Sequence, residues 1–226
     1  MAEMKMKDRP EFARIPRHVG LIPDGNRRWA KNRGLPAELG YAAGLAKGIE
    51  MLDEMIDIGV EEVSAYGFTQ DNNKRPMEQR EEFTCAVVGF VEAAMERDLS
   101  LRVVGDHTSE CFPRELKPFA LSRQGNGKLK FNLLVNYGWN WDLQHAIAQG
   151  RDQTRIQVHD LLASRDVSRI DLIVRWGGTR RLSGFLPVQS VYADFFVVDA
   201  LWPDCSAEDF YTALEWYQKQ DVTLGG

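Results

Sequence analysis

His18-Val19-Gly20-Leu21-Ile22-Pro23-Asp24-Gly25-Asn26-Arg27-Arg28 sets a short apolar run directly before a proline, an acid, a glycine and two arginines. An apolar run of that length, closed by turn residues, reads as a buried strand that ends in a polar loop. Working outward, Leu45, Ile49, Leu52 and Ile56 recur on one helical face that stops at Gly59, and residues 60–68 return to strand character. Strand, helix, strand is the unit of a parallel sheet. Phe83, Val87, Phe90 and Ala94 form another helical stripe. Residues 101–104, 130–135, 171–174 and 195–198 read as further strands, and residues 143–149 and 158–163 as helix. The expected fold is α/β, a central mostly parallel sheet flanked by helices, in one domain over residues 18–226 after a flexible tail at 1–17.

Composition narrows the function. The chain has 226 residues, 44% hydrophobic and 27% charged, which suits a globular domain, and its formal charge of −5 speaks against nucleic acid as the main partner. No stretch approaches the about 20 apolar residues of a spanning helix, and residues 1–17 lack the apolar core of a signal peptide. The reading is a cytoplasmic protein with no stable membrane anchor. Cys85, Cys111 and Cys205 are widely spaced without a CxxC, so three buried thiols are expected rather than disulfides or a zinc site. The four histidines show no metal-ligand spacing and read as structural, and neither a P-loop nor a GxGxxG fingerprint is present.

In open parallel sheets, ligands sit beyond the carboxyl ends of the strands. The loops that follow strands here span residues 24–28, 69–75, 136–142 and 175–183, and they should face one mouth. They carry Arg27, Arg28, Arg75, Arg175, Arg180 and Arg181. Any one of these alone would read as a solvated surface charge. Together on the rim of an acidic protein they suit a diphosphate, whose oxygens match the guanidinium fork. Gly25, Gly177 and Gly178 would leave backbone N–H groups open to such a ligand. Asp24 is the candidate carboxylate for Mg²⁺, which binds through one or two carboxylates plus phosphate oxygens. The same aspartate would equally serve as a helix cap or turn residue.

Residues 18–30, Asp171-Leu172-Ile173-Val174-Arg175-Trp176-Gly177-Gly178 with Arg181-Leu182-Ser183, and Leu201-Trp202-Pro203-Asp204 together resemble the cis-prenyltransferases, the undecaprenyl-diphosphate-synthase-like enzymes. The likeness runs from about His18 to the C-terminus, and residues 72–76 resemble a fourth motif. It implies a homodimer that transfers an allylic prenyl group with Mg²⁺, with an apolar tunnel between sheet and helices for the hydrocarbon. By resemblance Asp24 holds Mg²⁺, while Gly25, Asn26, Arg27 and Arg28 cradle the allylic diphosphate at the start of a helix. Arg175, Arg181 and Ser183 would hold the second diphosphate, with Thr69 and Trp176 beside the substrates. Asn72 and Arg75 would stand near the reacting groups, and Asp194 would replace a metal-binding Glu. Phe83, Val87, Phe90 and Val91 would line the tunnel.

Departures from the family pattern concentrate at the mouth. Arg27 stands for a Gly, Ala37 for an Arg and Tyr41 for a His. Gln70-Asp71-Asn72-Asn73 and Gly138-Trp139-Asn140 replace the usual loop residues, and Thr179 replaces a Glu. Trp139, Trp141 and Trp176 either reshape the acceptor pocket or fill a core or a dimer contact. The pattern resembles the irregular, lavandulyl-type branch, which would join geranyl or dimethylallyl diphosphate to the middle carbon of dimethylallyl diphosphate. Ordinary head-to-tail coupling with isopentenyl diphosphate is the alternative, and a non-catalytic partner subunit is a second one. Asp24, Arg28, Arg175 and Arg181 are all kept, against that last reading.

Overall fold

A computed structural model describes residues 9–70, 77–149 and 158–221, the side chains of residues 77–83 excepted. The chain runs β1 (His18–Ile22), α1 (Asn26–Asn32), α2 (Ala37–Ile58), β2 (Glu62–Thr69), α3 (Met77–Ala94) and β3 (Leu99–Val104). It continues through α4 (Lys117–Leu121), β4 (Leu129–Tyr137), α5 (Trp139–Gln149), α6 (Val158–Leu161), β5 (Leu172–Arg175), β6 (Asp194–Val197) and α7 (Ala207–Tyr217). The six strands form one sheet in the order β3-β4-β2-β1-β5-β6, and every neighbouring pair is parallel. The expected architecture is therefore the observed one.

Both faces of the sheet are covered, which is why its strands read as apolar runs. On one face Val19, Leu21, Phe131, Leu133, Leu172 and Val174 join Met51, Leu52 and Met55 of α2 and Phe210 and Leu214 of α7. On the other, Ile22, Leu134 and Ile173 pack with Tyr137, Val167, Phe185 and Leu186. Helix α2 ends where Gly59 turns left-handed (φ 92°) and donates to Met55 and Ile56. Helix α7 opens on a capping box in which Ser206 and Asp209 satisfy each other's backbone N–H groups.

Two expectations meet different facts. The described part of the supposed tail, residues 9–17, is docked: Arg9 pairs with Glu54 and Asp57, and Arg14 donates to the carbonyl of Tyr217 while stacking on its ring. Of the three thiols only Cys205 is buried, and Cys85 is exposed. Three of the four histidines are tied into the fold by hydrogen bonds: His18 bonds the Ser168 carbonyl and the Ser64 hydroxyl, and His145 and His159 bond backbone carbonyls; His107 stands edge-on to Phe112.

The topology creates a switch point. From β1 the chain crosses to β2 on one side, and from β4 it returns to β5 on the other side of β1. The loops after β1 and β5 thus leave adjacent strands at their carboxyl ends, where open α/β sheets bind ligands.

Candidate functional site

Strand β1 ends at Ile22, and Gly25 makes the corner into α1. Its φ of 115° is left-handed, and a Cβ there would lie 2.8 Å from Leu201 Cδ2, so glycine alone fits. The corner is pinned by Trp202, whose backbone N–H donates to the Asp24 carbonyl (3.0 Å) and whose indole donates to Gly44 of α2 (2.6 Å). The neighbouring strand β5 ends on Arg175, only 4% exposed, in register with Ile22.

These two strand ends bring a carboxylate between two guanidinium groups. Arg175 Nη2 donates to Asp24 Oδ2 at 2.8 Å, and Arg28 Nη2 lies 3.3 Å from Asp24 Oδ1. The other arm of Arg175 donates to Ser183 Oγ (3.0 Å) and to the Arg181 carbonyl. Arg28 also donates to the Gly177 carbonyl at 2.9 Å. A side chain at Gly177 would collide with Arg28 Nη2 and lie 3.0 Å from the Asp24 carbonyl oxygen, so the missing Cβ is what lets the loops after β1 and β5 touch. Arg175 Nε has no partner among the described residues and is buried, a donor left over for something else.

Asp24 and the arginines form the mouth of a cavity of about 510 Å³. Asn26, Arg27, Arg28, Thr69, Arg175, Thr179, Arg181 and Ser183 stand around it. Its inner wall is apolar: Leu45, Gly48 and Leu52 of α2, Val87 and Phe90 of α3, Ala65 and Phe68 of β2, and Phe131 and Leu133 of β4. Phe90 closes one side edge-on to Phe131 (ring centroids 6.0 Å apart), across the bare backbone of Gly48. A cavity in the range of about 300–1,000 Å³ takes a small ligand and buries most of it.

The structure gathers most of the residues singled out from sequence, with corrections. Trp176 lines no part of the cavity: it is fully buried beneath it, edge-on to Trp202 at 4.7 Å. Gly177 and Gly178 do not leave N–H groups open, since these donate to the carbonyls of Ala200 and Val198. Asp194 opens β6 beside Leu172, at the amino edge of the sheet, whereas Asp24 lies beyond the carboxyl edge. It faces a separate cavity with Arg14, Asp171 and Tyr217, where burial pushes its carboxyl above the usual range. Val91 is buried behind the wall, and Arg180 is exposed outside it. Trp139 is half exposed and packs under Gly184, and Trp141 lies against Tyr137. Asn72 and Arg75, and the Phe83 side chain, lie outside the described residues.

Sequence reasoning missed Tyr66 and Trp202 as wall residues, and missed that Gly40, Gly44 and Gly48 repeat every fourth residue along the face of α2 turned to α1 and Phe90. That spacing was the legible signal.

Among the described residues no group of three or more His, Cys, Asp or Glu is placed to hold a metal ion. Among the described residues of the cavity lining Asp24 is the one carboxylate, set among cations that suit phosphate oxygens. This donor set fits Mg²⁺ that enters with a diphosphate, which supplies the remaining oxygens.

Comparison with known proteins decides the family. The family model described as "Putative undecaprenyl diphosphate synthase" matches residues 22–225. This chain belongs to that family. It is accordingly a prenyltransferase. An isoprenyl transferase of Nitrosomonas europaea is 31% identical over 234 residues, covering 96% of this chain and 88% of that protein. The (2E,6E)-farnesyl-diphosphate-specific ditrans,polycis-undecaprenyl-diphosphate synthase of Escherichia coli K12 is 31% identical over 230 residues, covering 93% and 90%. A crystal structure of lavandulyl diphosphate synthase from Lavandula x intermedia, in complex with dimethylallyl diphosphate, superposes with a TM-score of 0.82 at 21% identity, over 93% of this chain and 98% of that one. At that identity the likeness shows the shared fold.

Proposed function

We propose that this enzyme transfers the prenyl group of a short allylic diphosphate, geranyl or dimethylallyl diphosphate, to a C5 diphosphate. The observation that carries this is Asp24 held between Arg28 and Arg175 at the mouth of an apolar cavity of about 510 Å³. The donor diphosphate would lie on Asn26, Arg27 and Arg28 with its hydrocarbon against the Leu52–Phe90–Phe131 wall. The acceptor diphosphate would lie on Arg175, Arg181 and Ser183. Mg²⁺ on Asp24 would neutralise the departing diphosphate.

The donor C–O bond breaks, the acceptor alkene supplies the electron pair of the new C–C bond, and a proton leaves the acceptor. The protein's part is to position both substrates, neutralise charge and exclude water. The cavity volume supports short substrates over a long polyprenyl chain. Asp194 stays outside this site.

For the regiochemistry we propose head-to-middle attack by dimethylallyl diphosphate, giving a branched, lavandulyl-type product of secondary metabolism. Its support is the acceptor rim, where Thr179 lines the cavity and Trp139 props the turn at Gly184. Orientation there decides which carbon attacks. The second reading is head-to-tail coupling with isopentenyl diphosphate, and the names of the curated relatives favour it. A homodimer suits the sheet, since β6 pairs on one side alone among the described strands and Val191 and Tyr192 stand exposed before it.

The test is incubation with Mg²⁺ and pairs of dimethylallyl, isopentenyl and geranyl diphosphates, followed by mass spectrometry of the dephosphorylated alcohols. Branched alcohols from two allylic substrates establish the irregular coupling. Linear C5 additions establish the ordinary one. No coupling with any pair refutes the proposal.

A further inference from the structure

The turn that carries Ser183 is strained. Ser183 (φ 51°), Gly184 (φ 76°) and Leu186 (φ 37°) are all left-handed within four residues, a region that non-glycine residues keep only when their surroundings over-determine it. One end of the turn is anchored by burial. Phe185 and Leu186 are fully buried, with Phe185 driven onto the bare face of Gly20 in β1, and Ser190 donates to both their carbonyls. Ser183, at the other end, is exposed and lines the cavity.

Two side chains hold Ser183. Arg175 donates to its hydroxyl, and the Tyr66 hydroxyl donates to its carbonyl at 3.0 Å. The Tyr66 ring also stands edge-on to Phe185, 5.0 Å between centroids and 70° between planes. Tyr66 reaches there because β2 is irregular at this point: Tyr66 pairs with Leu134 and Phe68 with Val135, so Gly67 is an extra residue against β4. Such a bulge re-aims side chains at the end of a strand. An arginine that turns to a bound anion loosens its grip on Ser183.

We infer that Tyr66 is a positioning residue for the acceptor diphosphate, its phenol fixing the left-handed Ser183 so that the Ser183 hydroxyl and Arg175 face the cavity together. The inference rests on the assignment of Ser183 and Arg175 to the acceptor. Tyr66→Phe tests it, because the ring contact with Phe185 is kept and only the hydroxyl is lost. Loss of one hydrogen bond of this kind corresponds to about a fivefold change. The expected result is an acceptor KM raised about fivefold, whether dimethylallyl or isopentenyl diphosphate is the acceptor, with the donor KM unchanged. Amide exchange at Gly184 and Phe185 should quicken in the ligand-free protein, with the melting temperature near that of the parent. Unchanged exchange in this turn overturns the role of Tyr66, whatever the kinetics. Faster exchange with an unmoved acceptor KM instead overturns the assignment of Ser183 to the acceptor.

Discussion

Arg175→Lys keeps the positive charge at the end of β5 and removes the fork. The native guanidinium spans three acceptors: Asp24 Oδ2 at 2.8 Å, Ser183 Oγ at 3.0 Å, and the Arg181 carbonyl. A lysine ammonium is a single point on a flexible stem and serves the Asp24 side or the Ser183 side, not both. Held by the Asp24 carboxylate, its opposite charge, the ammonium leaves the Ser183 and Arg181 hydrogen bonds unmade, each worth about 1–1.5 kcal/mol, so the change totals about 2–3 kcal/mol. At about 1.4 kcal/mol per factor of ten, this is a fall of roughly 30- to 150-fold. We expect it in kcat/KM for the acceptor, because the missing hydrogen bonds are those that aim Ser183 and the strand end at the second diphosphate. Initial rates with donor and acceptor varied separately measure it, and a thermal melt shows that the variant is folded. An acceptor kcat/KM within threefold of the parent, in a folded variant, would refute the bridging role of this side chain.

Asp24→Asn keeps the size and removes the carboxylate; turnover should drop by about 10²–10³, the range for losing one preorganised charged or polar group, while donor binding measured by calorimetry persists. Retention of a tenth of the parent rate in single-turnover assays would sink the metal role. Phe90 is 8% exposed and closes the apolar wall, so Phe90→Ala should admit a longer donor such as farnesyl diphosphate, at a stability cost of about 3–5 kcal/mol. An unchanged donor range in competition assays, read as product length by mass spectrometry, rules that wall out as the limit. Burial pushes the His18 imidazole below its ordinary 6.5, although Glu62 and Asp171 pull it upward. The unfolded chain therefore takes up a proton that the folded chain refuses, and stability falls as pH drops from 6.5 toward the lowered folded value. Melting temperatures at pH 7 and 5.5 should show this slope in the parent and a flatter one in His18→Gln; equal slopes contradict the assignment.

The sheet was legible because buried parallel strands are apolar runs closed by turn residues, as in His18–Ile22 and Leu129–Tyr137. Helix α1 was not legible from periodicity. Its sequence, Asn-Arg-Arg-Trp-Ala-Lys-Asn, buries only Ala30, and tertiary contacts hold it: Gly40 and Gly44 admit Asn26 against α2, while Asp204 accepts from Trp29 at 2.6 Å and from Arg33. Helix α7 carried its signal in the Ser206 and Asp209 capping box before Phe210, Ala213 and Leu214, a short stripe easily passed over. The placement of Asp194 follows from direction: a residue that opens a parallel strand stands at the amino edge, away from a loop that follows β1. Trp176 misled because its motif neighbours, Arg175 and Gly177, reach the mouth. The indole instead points down, away from the Arg175 side of the strand end, onto Trp202.

The meeting of Asp24 with Arg175 is a consequence of topology and register together. Because β1 has β2 on one side and β5 on the other, its loop must leave beside the loop of a strand about 150 residues later in the chain, without any local sequence link. The register then sets the chemistry: Ile22 pairs with Arg175, so the aspartate two residues beyond Ile22 meets the guanidinium at the end of β5. Side chains alternate along β5, with Leu172 and Val174 in one core and Ile173 in the other. A slip of one residue would send Arg175 to the opposite face, away from Ser183, and would bury its charge against α2 and α7. Such a slip would also place Ile173 in the wrong core. The apolar alternation of a four-residue strand thus fixes where the cation stands, and the site depends on the same packing that holds the sheet together.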